Sequence, residues 1–383
     1  DIDRNLSTTY PKQRAVLPVS VARVGSRRED RVSAGATGYD PNLFVSPALA
    51  YQRVLDELQK WQGGYRNRPV QTGDGWPERH GPRPKPEAHV LRVAGEHGVG
   101  KTWLLRHLAE KEELAAPAAL YLDLLKRKQY GQPEGFVRAV QQQIDSRFGS
   151  WPAVLLLDTV PSHLDEHLRL LEDLVLRPHL SQRGSMLIMA LSHPSHDGWR
   201  AAILRGGETV RLQPFGQPET RDQLRRLEET GQARVHLNAA AVQDRSGGLP
   251  LVNYLFTQYG QGQAFEIFLE YIFAQVPVCD RGTIRNHLEA VCVLEYLDHA
   301  SIERALQVYH QCGAGAGTIP PHAGRVLSVL REFWLAQASP EAPGRILLVE
   351  SVRRAAREVL QARAPNLYVA MNKAAHSARG GVR

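Results

Sequence analysis

Nowhere in its 383 residues does this chain hold the run of about 18 to 20 apolar residues that a bilayer-spanning helix needs. It starts Asp1-Ile2-Asp3-Arg4, with no basic and apolar stretch, from which no secretory signal and a cytoplasmic setting are expected. The start also lacks Met, from which we expect a piece of a longer protein with further modules beside it. Cysteine is scarce. Cys279, Cys292 and Cys312 are an odd number, far apart, with no Cys-x-x-Cys pair or matching histidines, which argues against disulfides and zinc and for buried thiols. What remains is ordinary soluble composition, 43% hydrophobic and 23% charged, enough for two or three packed domains. The net charge of +7 comes from scattered arginines, which reads as a solvated basic surface rather than a nucleic-acid patch.

One short segment stands out against this background. Gly95-Glu96-His97-Gly98-Val99-Gly100-Lys101-Thr102 is a complete G-x-x-x-x-G-K-T phosphate loop, behind the apolar run from Val90 to Ala94 and ahead of an amphipathic helix. Strand, glycine turn and helix start together aim backbone N–H groups and a positive helix end at one anion. Gly95, Gly98 and Gly100 free the backbone, Lys101 supplies a charge, and Thr102 offers a hydroxyl to Mg²⁺. The residues expected around a bound ATP or ADP are Gly95, His97, Gly98, Val99, Gly100, Lys101, Thr102 and Trp103. No Asn-Lys-x-Asp base-reading segment follows the fourth strand, which argues against GTP.

Along the chain, residues 1–43 read as a linker or irregular arm. A helix is expected from Pro47 to Trp61, then a long loop from Gly63 to Pro86. Five strands follow, Val90 to Ala94, Ala119 to Leu122, Ala153 to Leu157, Met186 to Leu191 and Thr209 to Leu212, with helices at 101–114, 134–147, 162–177 and 197–205 between them. That alternation predicts an α/β fold over 44–214, a doubly wound parallel five-stranded P-loop NTPase sheet with its ligand at the carboxyl edge. Residues 215–280 read as helical. Residues 281–383 read as a winged-helix-like domain, with helices at 283–297, 300–309 and 322–337, a short strand at 345–349, and closing helices from Ser351 and from Asn366.

Asp158 ends the third strand, downstream of the phosphate loop, and is the second metal ligand expected beside Thr102. ATPases of this type place another acid next, to polarise the attacking water, but here Thr159 follows, so slow or partner-dependent hydrolysis is expected. Asp165 and Glu166 read first as a solvated acidic face and second as a substitute base. Ser192 and His193 either point at the γ-phosphate or start the turn at Pro194, and His193 joins Lys101 and Asp158 among the catalytic candidates. Arg205 reads as a surface arginine, with a neighbouring subunit's phosphate as its other target.

The order of these parts resembles the STAND branch of AAA+-related P-loop ATPases, which includes the NB-ARC switch proteins. Phe44-Val45-Ser46-Pro47 is similar to the family's opening motif, which implies that Val45 lies at the adenine. Leu191-Ser192-His193 resembles a strand-end Thr-Ser-Arg, and Arg211 to Phe215 resembles the strand that leads into a helical lid. Gly247-Gly248-Leu249-Pro250-Leu251 is similar to the lid's Gly-Leu-Pro-Leu, which implies that Pro250 packs on the nucleotide. The resemblance implies an ATP/ADP-binding switch whose nucleotide state controls domain rearrangement, self-association or a protein effector in a flanking domain. The alternative is a DNA-associated AAA+ ATPase of the origin-recognition or transposition-regulator kind. It predicts duplex binding that weakens steeply with salt, which the switch does not. A scaffold with a degenerate site is a third reading, against which Lys101 and Thr102 stand intact.

Overall fold

The computed structural model of the protein describes residues 40–66, 89–110, 119–149, 152–160, 164–192, 198–274, 276, 278–312, 322–339, 342 and 344–377. Residues 1–39 of the arm expected over 1–43, most of the loop expected over 63–86, and His193 lie outside them, whereas the arm's end forms a 3-10 turn over Pro41–Leu43 with Leu43 buried.

The expected α/β architecture is present. Strands β1 (His89–Ala94), β2 (Leu120–Asp123), β3 (Val154–Val160), β4 (Met186–Leu191) and β5 (Glu208–Arg211) form one sheet in the order β2-β3-β4-β1-β5, every neighbouring pair parallel. The central strands β3 and β4 are apolar and buried along almost their whole length, as strands covered on both faces must be. Side chains alternate between those faces. Leu155 and Leu157 join Phe136, Val140 and Ile144 of helix α3 (Pro133–Phe148) on one side. On the other, Val154 and Leu156 join Leu104, Leu105 and Leu108 of α2 (Lys101–Glu110), with Val54, Leu58 and Trp61 of α1 (Ala48–Arg66).

The helix expected over 162–177 is built differently. It starts at α4 (Glu166–Leu171), where the Asp165 side chain accepts the Leu168 N–H, widens to a π turn over Glu172–Leu176, and continues as α5 (Arg177–Arg183). Glu172 is fully buried there, its Oε1 taking the N–H groups of Arg200 (2.7 Å) and Ala201 (2.6 Å). A four-residue helix, α6 (Ala202–Arg205), precedes β5 in place of the longer one expected, and Arg205 is exposed.

Beyond the sheet the chain is helical: α7 (Gln217–Glu229), α8 (Ala239–Ser246), α9 (Pro250–Tyr259), α10 (Gln261–Phe273), α11 (Val278–Val291), α12 (His299–Gln311) and α13 (Ala323–Glu332). A hairpin of β6 (Ala336–Ala338) and β7 (Ile346–Leu348) follows, then α14 (Glu350–Arg363) and α15 (Pro365–Ser377). The helix expected to 337 stops five residues early: Trp334 turns left-handed, φ 57°, so that Leu335 and Ala336 enter the core and a second strand forms. A single apolar cluster takes in residues on both sides of residue 280, from Leu224 to Met371. Of the thiols, Cys292 is buried, which pushes its pKa up to about 12, whereas Cys312 just past α12 is exposed, contrary to expectation. Among the described residues no helix is long and apolar enough to cross a membrane.

Candidate nucleotide-binding site

The loop from Gly95 to Gly100 leaves β1 at the carboxyl edge of the sheet and opens α2. Gly98 (φ 81°) and Gly100 (φ 100°) hold backbone angles closed to L side chains. The Gly95 N–H donates to Leu191 O (3.2 Å), which ties the loop to the neighbouring strand end. Lys101 Nζ folds over the loop, donating to the carbonyls of Gly95 (2.7 Å) and Glu96 (2.8 Å). Burial lowers its pKa to about 8.

Asp158 lies across from the helix start. Its Oδ1 accepts from Thr102 Oγ1 (3.1 Å) and its Oδ2 from the Tyr121 hydroxyl (2.5 Å). Burial raises the carboxyl's pKa, and Tyr121, held under Arg106 (Nε to Oη 3.3 Å), is pushed higher still by burial beside Asp158. A buried carboxylate met by two hydroxyls has room in its electrostatics for a hard cation, and oxygen donors of this kind suit Mg²⁺. Among the described residues no cluster of three or more His, Cys, Asp or Glu is present, so a cation here draws its other ligands from phosphate and water. Thr102 and Asp158 would hold such a cation, which would supply positive charge against bound phosphates.

Thr159 lines the same cavity and adopts φ 55°, an outlier for a β-branched residue, where the β3–β4 register shifts between Leu157 and Val160. Neither substitute base reaches this point as one. Asp165 caps α4 and is salt-bridged to Arg127 (2.9 Å), and Glu166 is exposed. Ser192 does line the cavity.

An apolar compartment adjoins the phosphate end. Phe44, Val45, Pro47, Trp103, Phe215, Leu227, Pro250, Leu251 and Tyr254 line it, so Val45, Trp103 and Pro250 meet the phosphate loop in one cavity. The Gly-Gly-Leu-Pro turn makes this possible. A Cβ on Gly248 (φ 75°) would lie 2.1 Å from Phe215 O, and that close approach lets Gly248 O accept the Phe215 N–H at 2.8 Å. The Leu251 N–H then donates to Gly98 O (3.2 Å), joining α9 to the loop.

The two polar side chains of the loop face the opposite way, toward the end of the chain. Glu96 Oε2 accepts the Ser351 N–H (3.1 Å) in the first turn of α14, whose own capping residue, Val349, has no side chain to offer. A carboxylate from the phosphate loop thus caps a helix 255 positions away. His97 is buried against the Trp334 backbone, and its Nε2 has no hydrogen-bond partner. Burial and the adjacent Lys101 lower its pKa to about 3, so the ring is neutral. Arg354 of α14 adds bonds to the Asp244 (2.8 Å) and Arg245 (3.2 Å) carbonyls at the end of α8.

Sequence reasoning placed Gly95, Gly98, Gly100, Lys101, Thr102 and Asp158 together, and the structure brings them together. It did not find Tyr121, Arg106, Gln223 or Tyr271, which share this site. Their signal is weak, since an aromatic or polar residue at a half-buried helix or strand position looks the same in any fold.

No model of a known protein family matches the chain, and no curated protein matches it. Among solved structures it is similar to a Walker-type ATPase of Pyrococcus abyssi (14% identity, 79% of this chain and 94% of that one, TM-score 0.48). It is also similar to the Thermotoga maritima RuvB Holliday junction branch migration motor (15% identity, 82% and 96%, TM-score 0.43). A third likeness is to a signal transduction ATPase with numerous domains carrying a tetratricopeptide repeat sensor, from Pyrococcus horikoshii (14% identity, 76% and 46%, TM-score 0.28). The parallel sheet, the loop at the carboxyl end of β1 and the acid in β3 give this chain the P-loop NTPase fold.

Proposed function

We propose that this chain is an adenine-nucleotide switch, in which ADP, or ATP with Mg²⁺, bound at the phosphate loop sets how a helical lid (215–280) and a winged-helix-like unit (281–383) sit against the sheet domain (44–214). The observation that carries this reading is the double engagement of the loop. Gly98 O holds the lid at Leu251, while Glu96 and His97 hold the last part of the chain at Ser351 and Trp334. Phosphates entering the loop bring negative charge next to Glu96, so the contact that caps α14 has a different free energy with two phosphates, with three, or with none. That differential is what a switch requires. The apolar compartment fits a purine ring. Hydrolysis is slow, because Thr159 stands where a water-polarising acid is needed.

The test is solution scattering with light-scattering mass determination, in ADP and in a non-hydrolysable ATP analogue with Mg²⁺. The reading expects a compact single chain with ADP and an expanded or self-associated one with the analogue. Identical profiles, with both nucleotides bound, contradict it. Salt-sensitive duplex binding that appears with the analogue favours the DNA-associated ATPase instead.

A further inference from the structure

The lid reaches the metal end of the cavity as well as the apolar end. Helix α10 lies against the phosphate loop so closely that a Cβ on Gly98 would come within 2.8 Å of the Phe268 ring. Tyr271 is three positions on, hence on the same face of α10 and one turn along. It lines the same cavity as Thr102, Asp158 and Thr159. Its hydroxyl lies in the field of Asp158 beside Thr102, and burial there lifts its pKa to about 12.

We propose that Tyr271 is a specificity-determining residue that makes the site favour a nucleoside diphosphate over a Mg²⁺-bound triphosphate. The inference rests on the nucleotide reading above. Thr102 and Asp158 are the oxygen donors a cation would take, and the cation accompanies the outermost phosphate. A neutral phenol beside Thr102 and Asp158 takes the space in front of those donors but brings no charge, so it does not replace the cation. A diphosphate seated on the loop amides leaves Tyr271 in place, whereas a third phosphate with its cation must displace it. That displacement has a path outward. The adjoining side of α10 carries Leu269 and Ile272 into the shared apolar cluster with Val352 and Ala356 of α14. Expelling the phenol therefore bears on the same helix that Glu96 caps.

Calorimetric titration of ADP and of the ATP analogue, each with Mg²⁺, into the wild type, Tyr271→Phe and Tyr271→Ala tests this. Loss of the hydroxyl alone shifts the affinity ratio about fivefold toward the triphosphate, the worth of one polar contact, and loss of the ring shifts it further. ADP affinity stays within about twofold in both variants. The second variant guards against a ring that blocks the site without its hydroxyl. An unchanged ratio in both variants, or a shift toward ADP that marks the hydroxyl as a ligand of the third phosphate, overturns this inference alone. A wild type that binds neither nucleotide overturns the reading of the site and this inference with it.

Discussion

The two ends of the cavity are built on opposite principles. At the phosphate end, eight consecutive residues fold back on themselves, and function resides in main-chain amides, one ammonium and two oxygen ligands. At the apolar end, Phe44, Val45, Trp103, Phe215, Leu227, Pro250 and Tyr254 come from distant segments of the chain. The first is a local structure that local chemistry dictates. The second is a tertiary product, which exists only while Arg226 holds Phe44 O (2.9 Å) and Gln223 holds Pro250 O (2.8 Å).

The division can be broken at its polar end first. Lys101→Ala should lower ADP affinity by about 100-fold or more, the loss of a charge-assisted contact in a buried site, with an unchanged circular dichroism spectrum. Fluorescence titration with a labelled ADP measures it.

Acid is the next lever. His97 has a folded pKa of about 3 against 6.5 in the unfolded chain, so below pH 6.5 the unfolded state takes up a proton that the folded state refuses. Its contribution to stability is intact above pH 6.5 and is lost as pH falls through 6.5 toward 3. Between pH 7 and pH 5 this amounts to about 2 kcal/mol, and His97→Gln should be spared that part of the loss in urea unfolding at the two pH values.

Tyr254→Ala addresses the apolar end alone. ADP affinity should fall about tenfold as stacking area is removed, while inorganic pyrophosphate binds as before. Equal losses for both ligands would mean that the two ends are not separable. The smallest effect belongs to Glu96→Ala, which leaves α14 uncapped. Amide hydrogen exchange over residues 350–356 should accelerate about fivefold, the value of one helix cap, with β3 and β4 unaffected.

Legibility in the sequence follows the same division. The loop, its strand and Asp158 were readable because a phosphate cradle needs particular residue types at fixed spacing. The five strands were readable from apolar runs, β4 at both ends and the others with errors of up to three residues, as for β3, expected to end at Leu157 and found to run to Val160. The break of the helix at 162–177 was not readable, because a buried Glu172 that ties down two amides leaves no mark on periodicity. Nor was β6, whose Leu335 and Ala336 continue a helical pattern until Trp334 reverses the chain. Val45 and Pro250 were placed only through resemblance to a family. Tyr121 and Tyr271 read as core aromatics, and only the packing of β2 and α10 turns their hydroxyls toward Asp158 and Thr102.

The account depends on the loop and the lid accepting one adenine nucleotide between them. Calorimetric titration of the purified chain with ADP tests this most directly: it predicts saturable binding of one ADP per chain, and a flat trace over the same range would contradict it.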